Sequence, residues 1–267
     1  MILTRGQGGL FRYVLYGHAA LAMAFLLLPI VFIALLSLGS SRWLAFPPPE
    51  WTLKWYQELA GDPRWAESLW LSLRLALCVT ILSVLLGGAA AFALTRGRFR
   101  GRRLLKAFFV SPMIVPVVIV AIALYSFSLK LGLNGTFIGF VAGHLIIAVP
   151  FSVICVGNSL RAFDIALEQA AAICGASRLQ TLRRVTIPVI APGLMAAAIF
   201  SFLASWDEVV ISIFMASPQL QTLPVRMWTS LRMDLSPVIA AVSTLLVLAS
   251  MLLMLVLGLL LIRRAPK

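Results

Sequence analysis

Residues 236–262 read SPVIAAVSTLLVLASMLLMLVLGLLLI, a run that contains no charged side chain. A helix needs roughly 20 consecutive apolar residues to cross the hydrocarbon core of a bilayer, and this run is long enough. The chain as a whole has a similar character, because 61% of its 267 residues are hydrophobic and only 12% are charged. Soluble domains carry about 25% charged residues. The run therefore predicts a membrane-spanning helix, and the composition predicts that most of the chain lies in lipid.

Further apolar segments upstream predict an all-α membrane protein with six transmembrane helices. The predicted spans are 17–38, 69–94, 107–129, 136–156, 189–215 and 238–262. The third contains Pro112 and Pro116 and the fourth contains Pro150, which membrane helices tolerate where neighbouring groups satisfy the freed carbonyls. Basic residues precede the first span, as in a signal peptide, but that span exceeds the roughly 7–15 apolar residues of a signal sequence. We expect it to be retained.

The basic residues sort to one side of this predicted topology. Of the 22 Lys and Arg, 15 fall in the two tails and in the segments after the second and fourth spans: Arg5, Arg12, Arg96, Arg98, Arg100, Arg102, Arg103, Lys106, Arg161, Arg178, Arg183, Arg184, Arg263, Arg264 and Lys267. Lys and Arg accumulate in cytoplasmic loops, so both termini are predicted to be cytoplasmic. A net charge of +13 would suit nucleic-acid binding in a soluble protein, but a nucleic-acid face would not sort by side. We expect no nucleic-acid partner.

Residues 39–68 form the longest segment on the opposite side, and they contain Trp43, Trp51, Trp55 and Trp65. The prolines at 47–49 favour an extended backbone. Tryptophan is typical of the interface between lipid and water, so the segment is either an interfacial belt or a docking surface for an extracytoplasmic partner.

Residues 157–188, on the predicted cytoplasmic side, read GNSLRAFDIALEQAAAICGASRLQTLRRVTIP. Apolar residues recur at helical spacing before and after Gly175, and Pro188 ends the pattern. The segment predicts two short helices joined at the glycine and lying across the membrane face. An amphipathic loop resting on lipid headgroups is the alternative.

This segment resembles the coupling loop of the permease subunits of type I ATP-binding-cassette importers, which has a Glu-Ala-Ala start, a glycine and a closing aliphatic-x-aliphatic-Pro. The matching residues are Ala170, Ala171, Gly175, Val185, Ile187 and Pro188. Gln169 stands at the usual glutamate position and Glu168 one residue earlier, so either could make the polar contact to the ATPase. The resemblance implies a set of residues that contact the ATPase: Glu168, Gln169, Ala170, Ala171, Gly175, Ala176, Arg183 and Pro188.

The resemblance extends over residues 65–262 and implies the type I ABC importer permease (MetI-like) fold in a bacterial inner membrane. It divides the chain into a cytoplasmic tail (1–16), a first transmembrane helix (17–38), a periplasmic segment (39–68), a permease core (69–262, with the coupling loop 157–188) and a second cytoplasmic tail (263–267). The implied partners are a second, homologous permease subunit, two ATP-binding subunits and a periplasmic substrate-binding protein. No GxxxxGK[ST] phosphate loop occurs, so ATP and Mg²⁺ are expected to be used by the partner ATPase. We expect no catalytic residue, cofactor or metal in this chain.

Asp207 and Glu208 are the only acids inside any predicted span, and each costs about 2.5–3.5 kcal/mol at the centre of a membrane helix. In a continuous helix Ser201, Ser205, Glu208 and Ser212 share one face. We hypothesise that these acids, with Ser201, Ser205 and the aromatic rings of Trp206 and Tyr125, line the pathway of a cationic amine. Alternatively, the acids pair with an arginine such as Arg226 or cap a helix end, and the rings serve packing.

The stretches SWDEVVIS, TLPVRMW and SPVIAAVSTLL resemble the polyamine branch of the family, which imports spermidine or putrescine by alternating access. Relatives of that branch carry other small amino compounds, including aminoalkylphosphonates. A secondary transporter would show an internal repeat and a channel a selectivity filter, and neither is recognisable here. His18 and His144 lack partners at metal-ligand spacing and are interpreted as structural. Gly139 and Gly143 form a GxxxG motif that suits close helix packing.

Overall fold

The computed structural model describes the backbone of residues 9–42, 45–233 and 236–264, and the side chains of residues 12–42, 45–233 and 236–252. Arg5, Trp43 and Lys267 lie outside the described residues, as do the side chains of Arg263 and Arg264. Regular structure in the described ranges is helical, which confirms the all-α class. The helices are α1 (Gly9–Leu36), α2 (Lys54–Gly61), α3 (Pro63–Arg96), α4 (Arg102–Val110), α5 (Val117–Lys130), α6 (Phe137–Ala162), α7 (Ala166–Ile173), α8 (Arg178–Thr181), α9 (Ile187–Trp206), α10 (Val210–Met215), α11 (Leu223–Met233) and α12 (Val238–Arg264).

Four helical stretches of the described chain are long and apolar enough to cross a membrane: Arg12–Leu36, Pro63–Arg96, Phe137–Ala162 and Arg178–Trp206. They correspond to the predicted first, second, fourth and fifth spans, although the first two helices begin earlier than predicted. Helix α1 starts within the predicted tail 1–16, and α3 starts within the predicted segment 39–68. Helix α12 covers the sixth predicted span and is apolar over Val238–Leu252.

The third predicted span, 107–129, is not one straight helix. Arg102–Met113 and Val117–Lys130 meet at an angle of 99°. A turn of 3₁₀ helix over Ser111–Met113 precedes the bend, and Pro116 stands directly before α5. Proline lacks a backbone N–H and drives the residue before it out of helical geometry. We expected Pro112 and Pro116 to lie within one continuous helix. They instead lie where the span divides into two helices.

Segment 157–188 turns at Gly175, as predicted, where φ is +82°. Only glycine adopts this left-handed conformation without strain. The second short helix is not separate, however, because helix runs continuously from Arg178 to Trp206. Pro188 therefore does not end the segment. It lies near the start of α9, after a π-helical turn over Leu182–Thr186, which can accommodate the missing N–H.

The fifth predicted span, 189–215, was also expected to be continuous, and this expectation is wrong. Helix α9 ends at Trp206 and α10 begins at Val210. The interruption contains neither proline nor glycine. It contains the buried Glu208, whose carboxylate accepts hydrogen bonds from backbone amides in the first turn of the second helix.

The chain divides into two compact units, residues 1–63 with 229–267 and residues 64–228. In the first unit, α12 packs against α1 and α2. Trp55 is buried there and its Nε1 donates a 2.5 Å hydrogen bond to the Gly39 carbonyl. It is therefore a packing residue and not part of an interfacial belt, whereas Trp51 is exposed.

The second unit is centred on α6, which packs along α9. A Cβ atom built on Gly193 of α9 would lie 2.6 Å from the Ser159 Cβ, and one built on Gly87 of α3 would lie 2.5 Å from the Ser152 Cβ. Carbon atoms that are not bonded to each other do not approach this closely, so these two helix crossings require glycine. A Cβ on Gly143 would lie 2.9 Å from Ile211 of α10, in agreement with the predicted close packing at the GxxxG motif.

Three buried serines join the helices of this unit at one point. The hydroxyls of Ser83, Ser152 and Ser201, from α3, α6 and α9, lie 2.9–3.0 Å apart in a closed triangle. Each hydroxyl can donate one bond and accept another, so the triangle satisfies all three away from water. Ser201, predicted to line a pathway, is fully buried in this triangle.

Candidate functional site

Glu168 holds the loop that turns at Gly175 to the end of α3. Arg96 Nη1 donates hydrogen bonds to both carboxylate oxygens of Glu168, at 2.6 and 2.5 Å, and the Thr186 hydroxyl donates to Glu168 Oε1. The guanidinium carbon of Arg96 also lies 5.6 Å from the Phe92 ring centroid and 5.2 Å from that of Phe163. One carboxylate therefore links α3, α7 and the π-helical turn.

Opposing effects act on the pKa of Glu168. Burial, the largest single effect, raises the pKa, whereas hydrogen bonds from Arg96 and Thr186 and the Arg96 charge lower it; together these outweigh burial, and the pKa falls below its ordinary value. A lowered carboxyl pKa contributes stability above the ordinary value and loses it as the pH falls through the lowered one. The contact is therefore present in full at neutral pH.

The tip of the loop projects small and apolar side chains outward. Ile173 is 87% exposed, Leu179 is exposed, and so are Gln169 and Ala170. The other predicted coupling residues are distributed as follows: Gly175, Arg183 and Pro188 are exposed, and Ala171 and Ala176 are half-buried. Exposed apolar groups of this kind, next to a basic residue, are typical of a protein-binding surface.

Glu208 lies inside the bundle, two residues before the start of α10. It is only 8% exposed, and its two carboxylate oxygens each accept a 2.9 Å hydrogen bond, from the backbone N–H of Ile211 and of Ser212. A carboxylate at this position satisfies amide groups that lack an intrahelical partner and complements the helix dipole. The structure thus favours helix capping, one of the alternatives left open by the sequence, for Glu208.

His144 of α6 completes a buried polar cluster around this capping residue. Its Nδ1 lies 2.8 Å from the Ser205 hydroxyl and its Nε2 lies 2.9 Å from that of Ser212, while Nε2 is 3.9 Å from Glu208 Oε2. His144 was predicted to be structural, but its partners were not predicted. They lie more than 60 residues further along the chain, and the one available signal was a polar ring in an apolar span.

The remaining predicted pathway residues are divided between surface and packing. Asp207 is exposed at the end of α9. Trp206 is half-buried and stacked on Phe202, with ring centroids 5.6 Å apart, and Tyr125 is half-buried 6.0 Å from the Phe214 ring. Arg226, suggested as a partner for the acids, donates a 2.6 Å hydrogen bond to Ser68. The structure therefore places Ser205 with Glu208 in the buried cluster and leaves Asp207 accessible.

The sequence matches, over residues 83–265, the family described as binding-protein-dependent transport system inner membrane component. It is 30% identical to the Escherichia coli K12 spermidine/putrescine transport system permease protein PotC, over 88% of this chain and 89% of the relative. It is also 30% identical to the putrescine transport system permease protein PotI of the same organism, over 84% of this chain and 82% of the relative.

Two solved structures share the fold. A bacterial ABC transporter involved in the import of the acidic polysaccharide alginate matches with a TM-score of 0.74, 18% identity and full coverage of both chains. The inward-facing MetNI methionine ABC transporter matches with a TM-score of 0.62 and 17% identity, over 76% of this chain and 96% of the other. With the exposed loop that turns at Gly175 and its apolar helical bundle, the chain belongs to the family of binding-protein-dependent transport system inner membrane components, and it is a permease subunit of an ABC importer.

Proposed function

We propose that this permease subunit forms half of the pathway for a small cationic amine, a polyamine such as spermidine or putrescine. The relatives PotC and PotI carry these substrates in their names. The observation that carries the proposal is Asp207, an exposed carboxylate next to the break between α9 and α10. Non-helical backbone at membrane depth is tolerated where it is buried in protein or lines a water-filled cavity, and a carboxylate in such a cavity attracts an ammonium group.

The two neighbouring acids have different roles in this proposal. Asp207 supplies the accessible negative charge, and the half-buried ring of Trp206 beside it offers a cation–π surface. Glu208 and Ser205 hold the break in place from the protein interior, and Ser201 anchors the preceding turn of α9. Tyr125 is assigned to packing against α10.

The proposed difference in role between Asp207 and Glu208 is tested by measuring the uptake of radiolabelled spermidine in cells that depend on this importer. Asp207→Asn should lower uptake at low substrate concentration about tenfold, the factor that corresponds to about 1.4 kcal/mol of lost binding, with unchanged protein in the membrane. Glu208→Gln should instead reduce the amount of folded protein. Wild-type uptake by the Asp207→Asn variant would refute the role of Asp207. Transport of an aminoalkylphosphonate in place of spermidine would refute the polyamine assignment.

We further propose that the chain assembles with a second permease subunit, two ATP-binding subunits and a periplasmic binding protein, with both termini cytoplasmic. Sorting of the basic residues to one side supports this orientation. ATP and Mg²⁺ would be used by the ATP-binding subunits, and this chain would bind no cofactor. Closure of the nucleotide-binding dimer would move the loop of each permease and open the pathway outward, as a rigid-body transition.

Within the loop, we propose that Gln169 makes the polar contact to the ATPase. Both oxygens of the adjacent Glu168 are occupied by Arg96, whereas Gln169 is exposed. In a Cys174→Ser background, Gln169→Cys should crosslink to the ATP-binding subunit, and Glu168→Cys should not. The reverse pattern would assign the contact to Glu168.

A further inference from the structure

A cavity of about 860 Å³ lies among the ends of α3, α4 and α6, on the side where the basic residues accumulate. Four cationic side chains line it: Arg102, Arg103, Lys106 and Arg161. Apolar side chains from the same helices form the rest of the wall, namely Leu94, Val110, Val153 and Ile154. The cavity thus combines a concentrated positive charge with a surface suited to hydrocarbon.

The positive charge is not balanced inside the cavity. No carboxylate lies among the residues that line it, all of which the structure describes. Arg161 donates to the Asn158 side chain and Arg102 donates a long, 3.4 Å hydrogen bond to the Gly97 carbonyl, and both acceptors are neutral. The first turn of α4 also lines the cavity. Its N-cap residue, Gly101, has no side chain that could accept hydrogen bonds from the amide groups of this turn. These amide groups therefore add a positive partial charge.

We propose that this cavity binds the phosphate headgroup of an anionic phospholipid of the cytoplasmic leaflet, with the start of the acyl chains along the apolar wall. Basic pockets between membrane helices on the cytoplasmic side suit anionic headgroups. A free phosphate would have no use for the apolar wall formed by Val153 and Ile154. A cationic amine would be repelled by all four cations, so the cavity is separate from the proposed substrate pathway at Asp207.

The test uses the intact importer, purified with its partner subunits in mild detergent. Binding of phosphatidylglycerol is measured by native mass spectrometry, with phosphatidylcholine as the zwitterionic comparison. The test variant is Arg103→Gln with Lys106→Gln. The control is Arg98→Gln with Arg100→Gln, which removes the same charge at two exposed residues just before α4 that lie outside the cavity.

Each cation near an anionic lipid contributes roughly a fivefold gain in affinity, so the test variant should bind phosphatidylglycerol about 25-fold more weakly. Phosphatidylglycerol binding by the control variant should stay unchanged, and so should phosphatidylcholine binding by the wild type and both variants. Equal loss in the test and control variants would overturn the proposal, because it would indicate a general charge effect. Displacement of the lipid by an equal concentration of inorganic phosphate would overturn it in favour of a free-phosphate site. Unchanged lipid binding with loss of a partner subunit would assign the cavity to a protein contact instead.

Discussion

Replacement of Gly193 by alanine should destabilise the packing of α9 against α6. The added Cβ would lie 1.9 Å from the Ser159 hydroxyl oxygen and 2.6 Å from the Ser159 Cβ, with the Cys155 carbonyl oxygen at 3.2 Å. The hydroxyl can rotate away. The position of the Ser159 Cβ is fixed by the backbone of α6, to which the Cys155 carbonyl also belongs, so these atoms can move away only if the two helices separate. Overpacking of this kind costs typically about 1–3 kcal/mol.

The same α6 helix offers a matched control. A Cβ on Gly157 would meet only the Thr95 hydroxyl at 3.8 Å and the Ala91 Cβ at 4.0 Å, which are ordinary contacts. Both substitutions gain the helix propensity of alanine, about 1 kcal/mol, so this term cancels when the two variants are compared. The difference between Gly193→Ala and Gly157→Ala therefore isolates the steric cost, about 1–3 kcal/mol in favour of the second.

The assay is thermal denaturation of the purified complex, followed by the fraction that remains monodisperse. At about 2–4 °C per kcal/mol for a chain of this size, Gly193→Ala should denature about 2–12 °C below Gly157→Ala. Addition of Ser159→Gly, which removes both the hydroxyl and the Cβ, should restore part of the loss. Equal denaturation temperatures for the two alanine variants would refute the reasoning, since they would show that the helices separate at no cost.

Three further predictions concern the loop and the first unit. Gly175→Ala should cost about 1–2 kcal/mol of stability, because φ of +82° strains any residue with a Cβ, and thermal denaturation measures it. Glu168→Gln should weaken the loop by about 1 kcal/mol at pH 7, and limited proteolysis should show this difference begin to shrink as the pH falls below the ordinary carboxyl value of 4.5 and disappear only below the lowered pKa of Glu168. Trp55→Phe removes the donor to Gly39 and should cost about 1–2 kcal/mol, whereas Trp51→Phe, at an exposed residue, should leave the denaturation temperature unchanged.

The features that the sequence predicted well are those that local patterns determine. Apolar runs located the spans, and a glycine between two amphipathic stretches located the turn at Gly175. The breaks were harder. A proline pair can bend a membrane helix or be absorbed by it, and only packing decides, so the 99° bend before α5 was not predictable from Pro112 and Pro116 alone.

The buried cluster shows why the candidate site was only partly predictable. The spacing of Ser205, Glu208 and Ser212 predicted a shared face, and all three are indeed buried together. The prediction assumed one continuous helix, whereas α9 ends at Trp206 and Glu208 accepts hydrogen bonds from amides in the first turn of α10. His144 belongs to another helix, and no local pattern links it to these residues.

The unbroken helix from Arg178 to Trp206 has a mechanical consequence. Its 29 residues span about 43 Å at 1.5 Å per residue, so a single helix joins the loop to the residue before Asp207. If the helix moved as one body, a tilt of about 5° about its Arg178 end would displace the opposite end by about 4 Å. A movement of the loop would then reach the Asp207 end through the helix backbone itself, without a relay of side chains.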